Sequence, residues 1–460
     1  MPISRRALLG GIGSGLALAA CARLPQMTLS NDHPQYDYVL TAEPAPIELI
    51  PGTRTPAWCF NGGFPAAPIR AQQGREISIL FRNRLPEPTT IHWHGLRIPI
   101  EMDGVPFLSQ PPIKPGEDFV YRFTPPDAGT FWYHPHVNSL EQLGRGLVGA
   151  IIVDEAEPVS FDQDVPLLLK NWHIEDDGGF APFTSPRAAF RMGTAGAYES
   201  VNGIQNPSYT VPPGALVRLR FLNVDNTVMY KIAIPDHPAW IIAIDGSPVA
   251  KPIPLEHHEM GPGMRLDVAL IAPPASGKTV SIKNAKGRLL FNLLELQTEG
   301  KPVTAPRQVS ALPENPLPTP DLAHAEVMNF VFEWEGAVTP VGADGKPNHR
   351  FWTINRRAWE GMSATNIPQP LATLELGKTY IFRLKNVTPH SHPIHLHGFI
   401  WTVLGSNQKT FETFHTDTVL LQKNEQVEVA FVADNPGRWM YHCHVIEHMK
   451  TGLMGYITVK

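Results

Sequence analysis

Cysteine is scarce in this chain: 460 residues hold three, at positions 21, 59 and 443. So few exclude a disulfide-stapled framework, and stability has to come from buried apolar surface. Cys59, in Ala57-Trp58-Cys59-Phe60, is expected to be a small buried hydrophobe without a partner. An excess of one charge is lacking too. A net charge of −5 gives no reason to expect a nucleic-acid partner. No run of about 18 apolar residues marks a transmembrane helix in the mature chain. No long stretch keeps a helical apolar period. Methionine totals 12, with no cluster between residues 340 and 420.

Proline (47) and glycine (37) are plentiful, which suits many short strands joined by turns. Stretches such as Ile77–Phe81, Phe119–Phe123, Val217–Phe221, Tyr380–Leu384 and Val427–Phe431 alternate apolar with polar residues, as half-buried antiparallel strands do. A turn followed by a strand ending in Asn recurs three times, around Gly74 to Asn83, Gly214 to Asn223 and Gly377 to Asn386. A second echo links Pro115 to His134 with Asn424 to His442, while the middle copy, Pro262-Gly263-Met264-Arg265-Leu266-Asp267, has no His-x-His. The class is therefore all-β, with three repeated Greek-key sandwiches over 36–155, 160–303 and 323–460, and a proline-rich extended linker at 304–322.

Residues 1–30 read as a leader. Arg5-Arg6 before the Ala/Gly/Leu-rich stretch to Ala20 resembles a twin-arginine export signal, implying a periplasmic or cell-envelope location. Leu18-Ala19-Ala20-Cys21 also resembles a lipobox, which would place a lipid anchor on Cys21; cleavage at a nearby small residue is the alternative.

Histidine carries the chemistry. Among 19 His residues, chance gives roughly 0.8 His-x-His pairs; the chain has five, at 92/94, 134/136, 390/392, 395/397 and 442/444. On a strand, alternate residues share a face, so His442 and His444 point one way and Cys443 the other. Thiolate and imidazole are the ligands of an electron-transfer copper, and imidazole alone suits further coppers. One strand can thus touch a copper through sulfur on one face and two more metals through nitrogen on the other. The pairs 92/94, 134/136, 395/397 and 442/444 supply eight imidazoles for a trinuclear site. His392, Cys443 and His448 remain as a trigonal His₂Cys set.

In order and spacing, His92-Trp93-His94-Gly95, Trp132-Tyr133-His134-Pro135-His136, His392-Pro393-Ile394-His395-Leu396-His397-Gly398 and Tyr441-His442-Cys443-His444 resemble the multicopper oxidases, specifically three-domain bacterial laccases and the related cuprous oxidases. That resemblance implies cupredoxin-like domains and four copper ions. It implies a type 1 copper on His392, Cys443 and His448, and a type 2 copper on His92 and His395. One type 3 copper falls to His94, His134 and His444, the other to His136, His397 and His442. The family's axial position falls on Leu453, a residue that cannot coordinate; Met454 becomes the ligand only if the register is off by one. The acidic residue that several relatives carry after the second type 1 histidine is replaced by Met449. Asp103 matches the family's acidic residue near the type 2 copper and becomes the candidate proton relay, its bland alternative being a turn Asp before Gly104. Glu447 reads either as a neighbour of the site or as a solvated surface group. The implied partners are O₂ and a small-molecule reductant, either a phenol, an aromatic amine or Cu(I), acting on a monomer. The missing Met cluster favours an organic reductant over Cu(I).

Overall fold

The computed structural model describes residues 35–335 and 349–460, so the expected leader, with Arg5, Arg6 and Cys21, lies outside the described residues. Six sheets stack as three cupredoxin-like sandwiches, with strands running from Tyr38 to Asp154, from Gln163 to Thr298 and from Glu326 to Val459. The three strands that follow the recurring turn are Ile77–Asn83, Leu216–Asn223 and Thr379–Asn386. Each pairs in parallel with the first strand of its sandwich and antiparallel with a later one: Asp118–Phe123, Arg265–Ile271 and Gln426–Val432.

The closing asparagine of each repeat has a structural cause. Asn83, Asn223 and Asn386 are buried. Each accepts the backbone N–H two residues on, from Leu85, Asp225 and Thr388, at 2.9, 3.2 and 2.9 Å. Each amide then donates to one carbonyl of the following loop, Glu87, Val228 or His390, and to one from a segment farther along the chain, Ile113, Met260 or Gln422. An Asx turn of this kind ends the strand and fixes the exit path. In the first and third sandwiches that path delivers the chain to His92 and His392; in the middle one it delivers Tyr230.

Burial fixes the register of the histidine strands. In His92–His94 the intervening Trp93 is fully buried and its ring lies 5.4 Å from both Tyr121 and Tyr133. A slip of one residue would drive the indole into the histidine face, so the core enforces which side the imidazoles take. His392–Leu396 runs antiparallel to Gly437–Cys443, placing Ile394 opposite Cys443 and His395 opposite His442.

Between Thr298 and Glu326 no strand forms. This stretch packs across the sandwiches. Asn315 exchanges hydrogen bonds with the Ala128 backbone at 2.8 and 2.9 Å, Arg97 donates to the Pro316 carbonyl, and Leu312 is buried.

Candidate metal centre

Eight imidazoles from the first and third sandwiches meet at their interface, and all are buried. His92 stacks on His397 with ring centroids 3.7 Å apart, and His94 stacks on His395 at 3.8 Å. Three groups have ligand atoms within 4.8 Å of one another: His92, His94 and His395; His94, His134 and His444; His136, His397 and His442. A fourth is made by His392, Cys443 and His448. There the two Nδ1 atoms lie 3.1 Å apart and each is 3.6 Å from the Cys443 sulfur.

The far side of these rings is occupied. Nδ1 of His92, His134, His395 and His442 faces the carbonyls of Asp103, Pro135, Asp417 and Cys443 at 2.9 to 3.0 Å. His397 Nδ1 lies 3.0 Å from an Asp103 oxygen, His392 Nε2 2.8 Å from the Thr388 hydroxyl, and His448 Nε2 2.6 Å from the Arg191 carbonyl. An acceptor on one nitrogen fixes the proton there and leaves the other lone pair free, the usual arrangement around a metal-bound histidine.

Those free nitrogens are buried and orphaned. His92 Nε2, His94 Nδ1, His134 Nε2, His136 Nε2, His395 Nε2 and both nitrogens of His444 have no protein partner, while His397 Nε2 and His442 Nε2 face each other at 3.1 Å. Buried polar atoms left unpaired are costly, and so many converging on one point fit bound cations. The donor set fits copper: imidazoles throughout, with a single thiol in the trigonal group. Burial, reinforced by neighbouring imidazoles, holds His94, His134, His136, His397 and His444 well below the ordinary histidine range. Burial takes His442 and His448 down to about 3. The rings are therefore neutral near pH 7, as ligation requires. Burial pushes the Cys443 thiol up, so only a cation at that spot makes the thiolate favourable.

Every histidine expected to hold copper, together with Cys443, lies in one of the four groups; His390, also part of a His-x-His pair, lies in none of them. Asp103 is 2% exposed, at the bend before Gly104, and its oxygens reach His397 Nδ1 at 3.0 Å and His92 Nδ1 at 3.2 Å. Leu453 is fully buried in the apolar cluster that holds Cys443, whereas Met454, half-buried, packs with the neighbouring cluster around Trp132 and Ile446. Cys59 is free and buried, its thiol pushed up to about 12 by burial and then by Glu43.

Sequence reasoning missed a second layer. Asp417 lies 3.1 Å from His94 Nε2, accepts from Arg265 at 2.5 and 2.9 Å, and turns its carbonyl to His395. Burial alone would raise its carboxyl; Arg265 instead holds it well below the carboxylate range. Arg265 comes from the middle sandwich, so all three sandwiches meet at this point. Gly95 makes room: at φ 88°, a Cβ there would sit 2.3 Å from an Arg265 nitrogen. The His-x-His-Gly string hints at that close approach; nothing in the sequence around Asp417 does. Glu447 is also 1% exposed rather than solvated, and accepts from Thr184, Thr194 and Thr227.

The comparisons with known proteins agree with this geometry. Three models described as multicopper oxidase match residues 41–158, 163–281 and 336–460. The multicopper oxidase MmcO of Mycobacterium tuberculosis is 30% identical over 98% of this chain and 95% of its own length. A copper resistance protein A homolog of Pseudomonas syringae is 24% identical over 99% of both. A crystal structure of a multi-copper oxidase from Pseudomonas thermotolerans superposes with a TM-score of 0.84 at 45% identity, over 92% of this chain and 98% of that one. With three family models covering most of the chain and a buried set of converging, unpartnered imidazoles beside a His₂Cys triad, this chain belongs to the multicopper oxidase family.

Proposed function

We propose that the protein is a laccase-like oxidase that removes single electrons from phenols or aromatic amines and couples four such steps to reduction of O₂ to water. Bound copper supplies the one-electron chemistry, with four ions distributed over the residues already described. His392, Cys443 and His448 form the type 1 site. His92 and His395 form the type 2 site. His94, His134 and His444 hold one type 3 ion, and His136, His397 and His442 the other. The observation that carries this reading is the single residue step from Cys443 to His442 and His444, which joins the triad to two of the other groups through covalent backbone.

The protein's own groups divide the remaining work. Thr388 and the Arg191 carbonyl orient the two triad imidazoles with Nδ1 toward Cys443. Leu453 closes the triad with an apolar side chain and excludes water. In this reading Asp103 accepts a proton at its carboxylate oxygens and passes it toward the trinuclear group, supported by its contacts with His92 and His397. The leader's Arg5-Arg6 supports export to the periplasm or cell envelope, with Cys21 available for a lipid anchor.

A second reading, a cuprous oxidase in copper tolerance, is favoured by the relationship to the copper resistance protein A homolog. The lack of a Met cluster in residues 340–420 favours the organic reductant. Steady-state turnover with a phenolic dye and with Cu(I) decides between them. Efficient dye oxidation with poor Cu(I) turnover supports the laccase-like reading; the reverse order overturns it.

A further inference from the structure

The middle sandwich sends out an arm. Its strands Thr279–Lys286 and Leu289–Thr298 pair with each other from Thr279 opposite Gln297 to Lys286 opposite Leu289. Their neighbours stop short of that end. The strand Tyr230–Ala233 pairs only with Lys283 and Asn284, and Ser208–Val211 only with Glu295 to Thr298. Between Ala285 and Phe291 no third strand is paired with the hairpin, so its tip stands clear of the sheet. Gly287-Arg288 closes it, and Gly287 takes the positive φ, 63°, that favours glycine in a two-residue turn.

A hairpin tip in water is ordinarily polar. This one carries Leu289, Leu290 and Phe291, which are 64%, 53% and 45% exposed. Leu289 is the most exposed large apolar residue among those described. Successive strand residues face opposite ways, so Leu289 and Phe291 project from one face and Leu290 from the other. A protein partner covers one face of a hairpin; apolar side chains on both faces suit a medium that surrounds the tip. Charge is one-sided as well. From Thr279 to Leu294 there is no Asp or Glu, while Lys283, Lys286 and Arg288 are cations. Lys283 donates to the Asn292 side chain at 3.0 Å. Lys286 lies 5.4 Å from the Phe291 ring and pairs with Glu199, from the strand Tyr198–Val201, at 2.9 Å. Arg288 is exposed and has no ion pair among the described residues.

We propose that this arm docks the enzyme on an anionic phospholipid bilayer. Leu289, Leu290 and Phe291 enter the boundary between headgroups and acyl chains, and Lys286 and Arg288 stay at the phosphates. The order along the chain permits this: the cations flank Gly287 directly, and their long stems run along apolar surface while the charges remain wet. Cations beside an anionic membrane add an attraction that falls off within a Debye length. No residue of the arm belongs to the four metal-ligand groups, so docking leaves those groups untouched. The cell-envelope location proposed above brings such a bilayer within reach, and vesicle binding is read independently of it.

The test is co-sedimentation of the copper-loaded enzyme with vesicles, using Cys21→Ser protein so that no acyl chain contributes. Vesicles of equal phosphatidylcholine and phosphatidylglycerol should bind at least about fivefold more protein than phosphatidylcholine alone, and raising salt from about 20 mM to about 0.5 M should remove most of that excess. The Leu289→Ser/Leu290→Ser/Phe291→Ser variant should lose the binding while keeping the blue absorption and oxidase activity. Lys286→Glu/Arg288→Glu should lose the preference for the anionic vesicles. Equal binding of the unsubstituted arm to both vesicle types, or to neither, overturns the proposal and needs no variant to fold. A folded, blue triple variant that binds as before places the contact elsewhere and overturns it too. Concentration-dependent dimers that the triple variant abolishes, without vesicle binding, would assign the tip to a second copy of the chain instead.

Discussion

The His₂Cys triad and the eight-imidazole cluster share a strand but are built differently. All three triad residues lie in the third sandwich, between His392 and His448, and the middle sandwich adds the Arg191 carbonyl against the edge of the His448 ring. The imidazole cluster is divided between the first and third sandwiches and is braced by Arg265 from the middle one. The triad is thus a property of one folded domain, whereas the cluster exists only when three domains are docked. Perturbing the interface should damage the cluster and spare the blue centre; perturbing the third sandwich's core should damage both, because four of the eight imidazoles lie on or beside its strands, as Cys443 does.

The largest effect is expected at the shared strand. Cys443→Ser removes the only thiolate of the triad and the covalent start of the path to His442 and His444. It should abolish the blue absorption and reduce oxidase activity to background while leaving the strand content unchanged by circular dichroism. A serine variant that stays blue would falsify the ligand assignment.

Asp417→Asn separates the two centres. It leaves the buried Arg265 guanidinium without its closest carboxylate and weakens the contact that orients His94, a loss of about 3–5 kcal/mol for a broken buried pair. Copper bound by the imidazole cluster should fall, with a lower Tm, while the blue band persists. Simultaneous loss of both signals would show that the triad depends on the interface after all.

Acid should act on the copper-free protein through the same buried rings. Their folded-state pKa values are depressed, so between pH about 6.5 and about 3, the value reached by His442 and His448, the unfolded chain binds more protons than the folded one. Stability is then full above about 6.5 and declines as pH falls, by on the order of 1 kcal/mol per pH unit for each such histidine. Thermal melts of copper-free protein from pH 8 to 4 read this directly; a Tm flat across that range would contradict the depressed values.

Leu453→Met should have the smallest effect and touch the triad alone. A thioether donor stabilises the oxidised ion, so the type 1 potential should drop by tens of millivolts, on the order of 1 kcal/mol per electron. Leu and Met exchange at modest packing cost, so Tm should change little. Redox titration of the blue band checks it; an unchanged potential would mean that residue 453 does not face the ion and would turn attention to Met454.

Much of this was legible because strands impose a two-residue period. His-x-His spacing puts paired imidazoles on one face, and the Gly-turn-to-Asn repeat marks the central strand of each sandwich. Asp103 was legible through its place in a family pattern. The braces were not. Asp417 and Arg265 are 152 residues apart and meet only because two sandwiches dock. Arg265 sits in the middle-domain echo Pro262–Asp267, which lacks histidine and therefore gave no sign of a role. The sequence leaves Glu447 open between a place beside the site and a solvated surface, because its partners, Thr184, Thr194 and Thr227, come from a different sandwich. Contacts between domains leave no periodicity in a single chain, and that is where the braces of Asp417, Arg265 and Glu447 are found.

In the proposed enzyme one strand, Gly437–Cys443 with His444, joins a thiolate copper to a three-copper cluster. Copper analysis of the purified, fully loaded protein, combined with its visible absorption and electron paramagnetic resonance, tests it most directly. About four coppers per chain are expected, with a blue thiolate band and Cu(II) signals from more than one coordination environment. A single copper per chain, or a full complement without the blue band, would contradict it.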